Sequence, residues 1–119
     1  MFVAVNSDRK SAIEDCRPTI AFYSQSPQYL RYFDSIGCGS SARALQEAFA
    51  KGDLNGMIAA CSDEMVESIA LVGSKDEVLR RAQERLDDAD DCTPVVPHYA
   101  LSQDKIEFYS AGIADLFYR

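Results

Sequence analysis

Ile69-Ala70-Leu71-Val72-Gly73-Ser74-Lys75-Asp76-Glu77-Val78 decides the fold class, because it holds a strand, its stop and the start of a helix in ten residues. The apolar run Ile69-Ala70-Leu71-Val72 is too short for a helix and ends at Gly73, as a buried strand does. Ser74 and Glu77 then stand three apart, the spacing of a capping box. There the serine hydroxyl accepts one free amide at the helix start and the glutamate accepts another. The helix that follows is expected to turn Val78, Leu79, Ala82 and Leu86 inward and to leave Arg80, Arg81, Glu84 and Arg85 in water. Asp87-Asp88-Ala89-Asp90-Asp91 should end it, since acidic side chains oppose the negative end of the helix dipole.

Working outward, Phe2-Val3-Ala4-Val5-Asn6 is a second buried strand, and a domain rarely opens on one so abruptly. Ser7-Asp8 offers an N-cap, after which Ile13, Cys16, Ile20 and Tyr23 fall at helical spacing. Pro18 interrupts that stripe. It removes an amide donor and clashes one turn back, so the helix is expected to kink or restart near Arg17. Ser26-Pro27 repeats the start signal, and a helix carrying Tyr29, Leu30, Phe33 and Ile36 should stop at Gly37. Ser40 or Ser41 opens the next, through Leu45 and Phe49 to Gly52, and Asp53 opens a shorter one with Leu54, Met57 and Ile58. Thr93-Pro94-Val95-Val96-Pro97 reads as a short strand whose prolines confine it to an edge or a bulge. A closing helix carries Ile106, Tyr109, Ile113 and Phe117.

Strand, helix, strand, helix, strand, helix is the grammar of a parallel sheet, here with a long helical excursion after the first strand. The expected class is α/β, helix-rich, with about three parallel strands. A closed (β/α)8 barrel needs eight strands and about 250 residues, so the chain would supply its C-terminal third. At 119 residues and 47% hydrophobic it is one domain, able to bury roughly two thirds of its unfolded surface.

Twelve Lys and Arg face 19 Asp and Glu, and the net charge of −7 repels nucleic acid and anionic lipid. No apolar run approaches the roughly 20 residues of a membrane span, and Met1-Phe2-Val3-Ala4-Val5 lacks a secretory start, so a cytoplasmic protein is expected. Cys16, Cys38, Cys61 and Cys92 lie 22, 23 and 31 residues apart, without the short spacings of a zinc or dithiol site. They read as buried thiols, with disulfides only in an oxidising compartment.

Ala21-Phe22-Tyr23-Ser24-x-Ser26-Pro27-x-Tyr29, then Gly37-x-Gly39, Asp63-Glu64-Met65 and Val72-Gly73-Ser74-x-x-Glu77-Val78, run in an order that resembles the C-terminal part of luciferase-like monooxygenases. The nearest branch uses the deazaflavin coenzyme F420. The resemblance spans nearly the whole chain, and the first motif is the specific one. It implies a barrel that binds F420, or alternatively flavin mononucleotide (FMN), at the C-terminal ends of its strands, and transfers a hydride or activates oxygen on a small organic substrate. Most residues holding the ring and phosphate come, in that family, from earlier strands, so this chain should be inactive alone. It departs from the family in Cys38, where an aromatic residue is usual between the two glycines, and in Pro18, where the helix usually continues.

The resemblance also places Tyr23, Ser26 and Tyr29 near a helix junction that leads toward the substrate side, where a hydroxyl would orient a ligand. The plainer reading makes the tyrosines packing residues and Ser26 an N-cap. Gly73 and Ser74 precede a helix that could hold a phosphate, but a capping box already uses two of its amides. His98, the only histidine, reads as a loop residue with no nucleophile at catalytic spacing. Glu14 and Asp15, Asp63 and Glu64, the Asp87 to Asp91 run, and Asp104 with Glu107 read as solvated, since helix neighbours do not face one another. No catalytic residue and no metal site is assigned. The alternative to an oxidoreductase section is a non-enzymatic helical module that docks on a partner, either a complementary chain or a second copy.

Overall fold

The structure is a computed structural model that describes residues 1–87 and 93–118. Strand β1 (Phe2–Val5) leads into helix α1 (Arg9–Ser24), and a 3-10 turn over Pro27–Tyr29 leads into α2 (Leu30–Ser35). Helices α3 (Gly39–Ala50), α4 (Leu54–Ala60) and α5 (Asp63–Ile69) complete the excursion. Strand β2 (Ala70–Gly73), α6 (Lys75–Asp87) and α7 (Gln103–Phe117) close the chain. The acidic run expected to end α6 lies, from Asp88 on, outside the described residues, as does Cys92.

β1 and β2 pair in parallel, Val3 opposite Leu71 and Val5 opposite Gly73. Successive strand residues point to opposite faces. Ala4, Ala70 and Val72 meet Ala12, Ile13 and Cys16 of α1 together with Met57, Met65 and Val66 of the excursion. Val3, Val5 and Leu71 meet Val78 and Ala82 of α6 and Ile113 of α7. Helices therefore cover both faces of the sheet, giving three layers, and each strand is buried on both sides as its unbroken apolar run requires.

The third expected strand is reduced to one parallel bridge, Phe2 to Val95. The Val3 amide donates to the Val95 carbonyl at 3.0 Å, and the Val95 amide to the Met1 carbonyl at 2.8 Å. The next amide along the ladder would belong to Pro97, which has none, so pairing stops there. This segment lies on the free edge of β1, giving the spatial order Val95 segment, β1, β2. Consecutive staves of a barrel would instead follow one another, with their helices on one face.

α1 runs unbroken through Pro18, against the expected kink. Arg17 is tied to Glu14 and, across the α4–α5 junction, to the Cys61 carbonyl and Asp63, while Thr19 accepts the His98 and Tyr99 amides at 3.1 Å each. These ties hold the helix on both sides of the proline. The inner face of α6 also differs: Val78 and Ala82 are buried, but Leu79 and Leu86 are 45% and 43% exposed. Arg81 and Arg85, expected in water, are half-buried and donate to the Glu67, Ser68 and Ile69 carbonyls at the end of α5. A helix end needs such donors for its last carbonyls, and the arginines take the inward positions for that reason.

Candidate functional site

Both strands end at one edge of the sheet. After β1 the chain passes to α1 on one face; after β2 it passes to α6 on the other. A parallel sheet whose crossovers part in this way leaves a crevice beyond the strand ends, and ligands of open α/β sheets bind there. The chain has a cleft of about 450 Å³ at this point, bordered by Asn6 and Ser7 from the end of β1, Ser74 and Lys75 from the end of β2, and Phe108 and Gly112 from α7. A second cleft of about 500 Å³ shares Asn6 and Phe108 and extends toward Lys10, Asp15, Lys105 and Tyr109. Together they form one trough along the C-terminal edge, each part in the size range of small-molecule pockets.

A chain of polar contacts makes the trough's wall. The Tyr109 hydroxyl donates to Asp15 Oδ2 at 2.6 Å and accepts from Asn6 Nδ2 at 3.3 Å. Lys105 Nζ donates to Asp15 Oδ1 at 2.7 Å. Burial, and then the bond to Asp15, push the Tyr109 phenol well above the usual tyrosine range, so it stays a neutral donor. Asp15, read from the sequence as solvated, is thus half of a paired carboxylate with a side chain 15% exposed. Lys75 and Asp115 pair at the other end. The trough offers amide, hydroxyl and ammonium donors beside the Phe108 ring. No Cys or His borders it among the described residues; its donors can position a ligand, and the Ser11 hydroxyl on its wall donates to Asp8 Oδ2 at 2.7 Å.

The anion site considered at the start of α6 is closed. The Ser74 amide donates to Glu77 Oε2 at 2.9 Å and the Glu77 amide to the Ser74 hydroxyl at 3.3 Å, which is the expected capping box. That amide bond, with help from Arg9, holds the Glu77 carboxyl below its usual range. Gly73 has φ 128°, and a Cβ there would stand 2.0 Å from Glu77 Oε2, so the box needs glycine before it.

Tyr23 and Tyr29 lie at the opposite end of the sheet. With Phe2, Ser24 and Ile69 they line a pocket of about 90 Å³ beside the strand starts. Tyr23 is 41% exposed, and its ring lies tilted at 45° against Phe2, at 5.3 Å between centroids. Ser26 opens the 3-10 turn without a side-chain cap bond, and its carbonyl accepts from Gln46 Nε2 at 3.1 Å. The structure brings Tyr23 and Tyr29 together but leaves Ser26 out, and none of the three borders the trough.

His98 is exposed, its ring Nδ1 3.2 Å from the Val96 carbonyl and its backbone amide on Thr19. Among the described residues no group of three or more His, Cys, Asp or Glu could hold a metal ion, and no helix is long and apolar enough to cross a membrane. Sequence reasoning missed Asn6, Lys10, Asp15, Lys105 and Tyr109 as a group. The one available signal was Tyr109 itself, since a tyrosine on an inward stripe must find a partner for its hydroxyl. No protein-family model matches the sequence, and neither a curated protein nor a solved structure matches it.

Proposed function

We propose that the chain is the C-terminal section of a luciferase-like oxidoreductase or monooxygenase using coenzyme F420, or FMN in its place, and that it lines one side of the reacting pocket without catalysing alone. The supporting observation is the trough at the C-terminal ends of β1 and β2, the edge where such a fold presents its ligand. Asn6 would orient a ligand there with Tyr109 fixing its amide from behind, Phe108 would cover an apolar edge of the ligand, and Lys10 and Lys105 would favour negative charge nearby.

The residues present do not fit the phosphate part of either coenzyme. The amides of the capping box at the start of α6 are taken by Ser74 and Glu77, and among the described residues no second backbone cradle borders the trough. The phosphate must be held by strands of the complete enzyme outside this chain, and no reaction step is assigned to the residues here. The finer fold reading, a wedge of a (β/α)8 barrel, requires α1 and α6 on one face. In this chain they lie on opposite faces, so α6 and the Val95 segment would have to move when the other strands are supplied.

Absorbance titration tests the reading. The chain alone should neither bind F420 or FMN saturably nor turn either over, and joining it to the preceding barrel strands should give both. Turnover by the isolated chain, or a joined protein that binds neither coenzyme, would refute it. The exposed Leu79 and Leu86, one heptad apart on α6, favour the second reading of a non-enzymatic helical module that docks on a partner chain or a second copy. Sedimentation separates the two: a module of that kind associates through Leu79 and Leu86, and Leu79→Lys dissolves the complex.

A further inference from the structure

Asn6 and Phe108 border both halves of the trough, so a ligand lying along it meets both. The Asn6 side chain is oriented from two sides: its Oδ1 accepts the Asp8 amide at 2.9 Å, and its Nδ2 donates to the Tyr109 hydroxyl at 3.3 Å. An amide nitrogen carries two protons, so one N–H is left over at the end of β1. Phe108 is 54% exposed and stands edge-on to Tyr109, with ring centroids 5.1 Å apart and planes at 80°. Ala111 and Gly112, one turn on, extend its apolar strip along α7.

The charges along the trough nearly cancel. Asp15 pairs with Lys105, Asp115 with Lys75, and Glu14 with Arg17. Lys10 is in no ion pair among the described residues, and the Asp8 carboxylate near it is already bonded to the Ser11 amide and hydroxyl. A ligand with one negative charge finds a partner in Lys10. A second negative charge would stand against carboxylates already present, and a cation would find those carboxylates taken.

We infer that the trough takes a small aromatic monocarboxylate of about 9 to 13 non-hydrogen atoms, its ring on Phe108 and its carboxylate between the spare Asn6 N–H and the Lys10 ammonium. This names a ligand class for the trough and rests on the reading above only in taking that edge as the ligand site. It needs neither a coenzyme nor the preceding strands.

The test is 2-naphthoate titrated into the full chain, followed by NMR shifts of the Phe108 ring and the Asn6 side-chain amide. Saturable shifts centred on the trough are expected in the millimolar range. The neutral isostere 2-naphthamide should bind about fivefold more weakly, the usual worth of one exposed charge pair. Lys10→Gln should remove that preference and leave naphthamide binding unchanged, while Phe108→Ala should weaken both probes about tenfold. Unsaturable shifts, shifts centred on Tyr23 and Tyr29 at the other end of the sheet, equal binding of the two probes, a preference that survives Lys10→Gln, or binding indifferent to Phe108→Ala would each overturn the proposal. The coenzyme reading fails separately, in the absorbance titration of the joined protein, and naphthoate binding to the chain alone stands without it.

Discussion

Tyr109 is fully buried, and its hydroxyl links Asn6 to the Asp15 carboxylate, so Tyr109→Phe tests how much that wall depends on one oxygen. Bonds to a charged group contribute about 1.5–3 kcal/mol, and Asp15 keeps Lys105; the expected loss is about 1–2 kcal/mol in urea unfolding. A loss below about 0.5 kcal/mol would mean that water replaces the phenol freely. The buried thiols make a second prediction. Burial pushes Cys16 and Cys61 from 9.0 up to about 12. A group with a raised folded pKa lends full stability below its unfolded value and loses it as pH climbs toward the folded value. Stability should therefore fall between pH 9 and about 12, by about 1.4 kcal/mol per pH unit for each thiol, with Tyr109 adding to the slope above pH 10. Urea midpoints at rising pH should be flatter for Cys16→Ala and Cys61→Ala, and an equally steep wild type and variant would refute the assignment. Cys16, Cys38 and Cys61 were legible as buried thiols because their long spacings leave no zinc or dithiol site. Asp15 was not legible as a paired carboxylate, because its partner comes from a helix 94 residues away.

The join between β2 and α6 was the most legible element, since strand, stop and cap are all local and the capping box forms as its spacing requires. Ser74→Ala should cost about 1 kcal/mol, the usual worth of a lost N-cap. Gly73→Ala should cost more, because it meets both a positive φ and the Glu77 carboxylate at 2.0 Å. Thermal unfolding orders the pair, and a milder Gly73→Ala would show that the turn relaxes at little cost. α5 was overlooked although Ser62 caps it, accepting the Met65 amide at 3.2 Å, and Asp63 and Glu64 fill its first turn. Seven residues are too few for a periodic stripe to stand out. The faces of α6 were misread for a different reason. Apolar character alone turned Leu79 and Leu86 inward, but the open carbonyls of α5 drew Arg81 and Arg85 there instead. Similarly, Pro18 was given a local penalty that Arg17 and Thr19 outweigh through contacts with distant segments.

At the scale of the molecule, the class of parallel α/β sheet was legible from the alternation of elements, whereas strand order was not, because it depends on which edge the last segment finds. In this chain the Val95 segment takes the free edge of β1, and on the edge of β2 away from it Arg9 donates to the Val72 carbonyl at 3.1 Å. A single inward charge of this kind guards an edge but leaves it open to a strand that can displace it. If the chain is a section of a luciferase-like barrel, consecutive strands must be neighbours, so the preceding strand will claim the free edge of β1 and displace the Val95 segment to β2. Short proton–proton distances between Phe2 and Val95 should then characterise the chain alone, and be replaced by distances between Val95 and Leu71 once it is joined to the preceding strands. Arg9→Ala should make that exchange easier, since it removes the only side chain bonded to the outer carbonyl of β2 among the described residues. A joined protein that keeps the Phe2 to Val95 pairing would establish the open, doubly covered sheet as the working fold. The trough between β1 and β2 would then have to bind its ligand without the rest of a barrel.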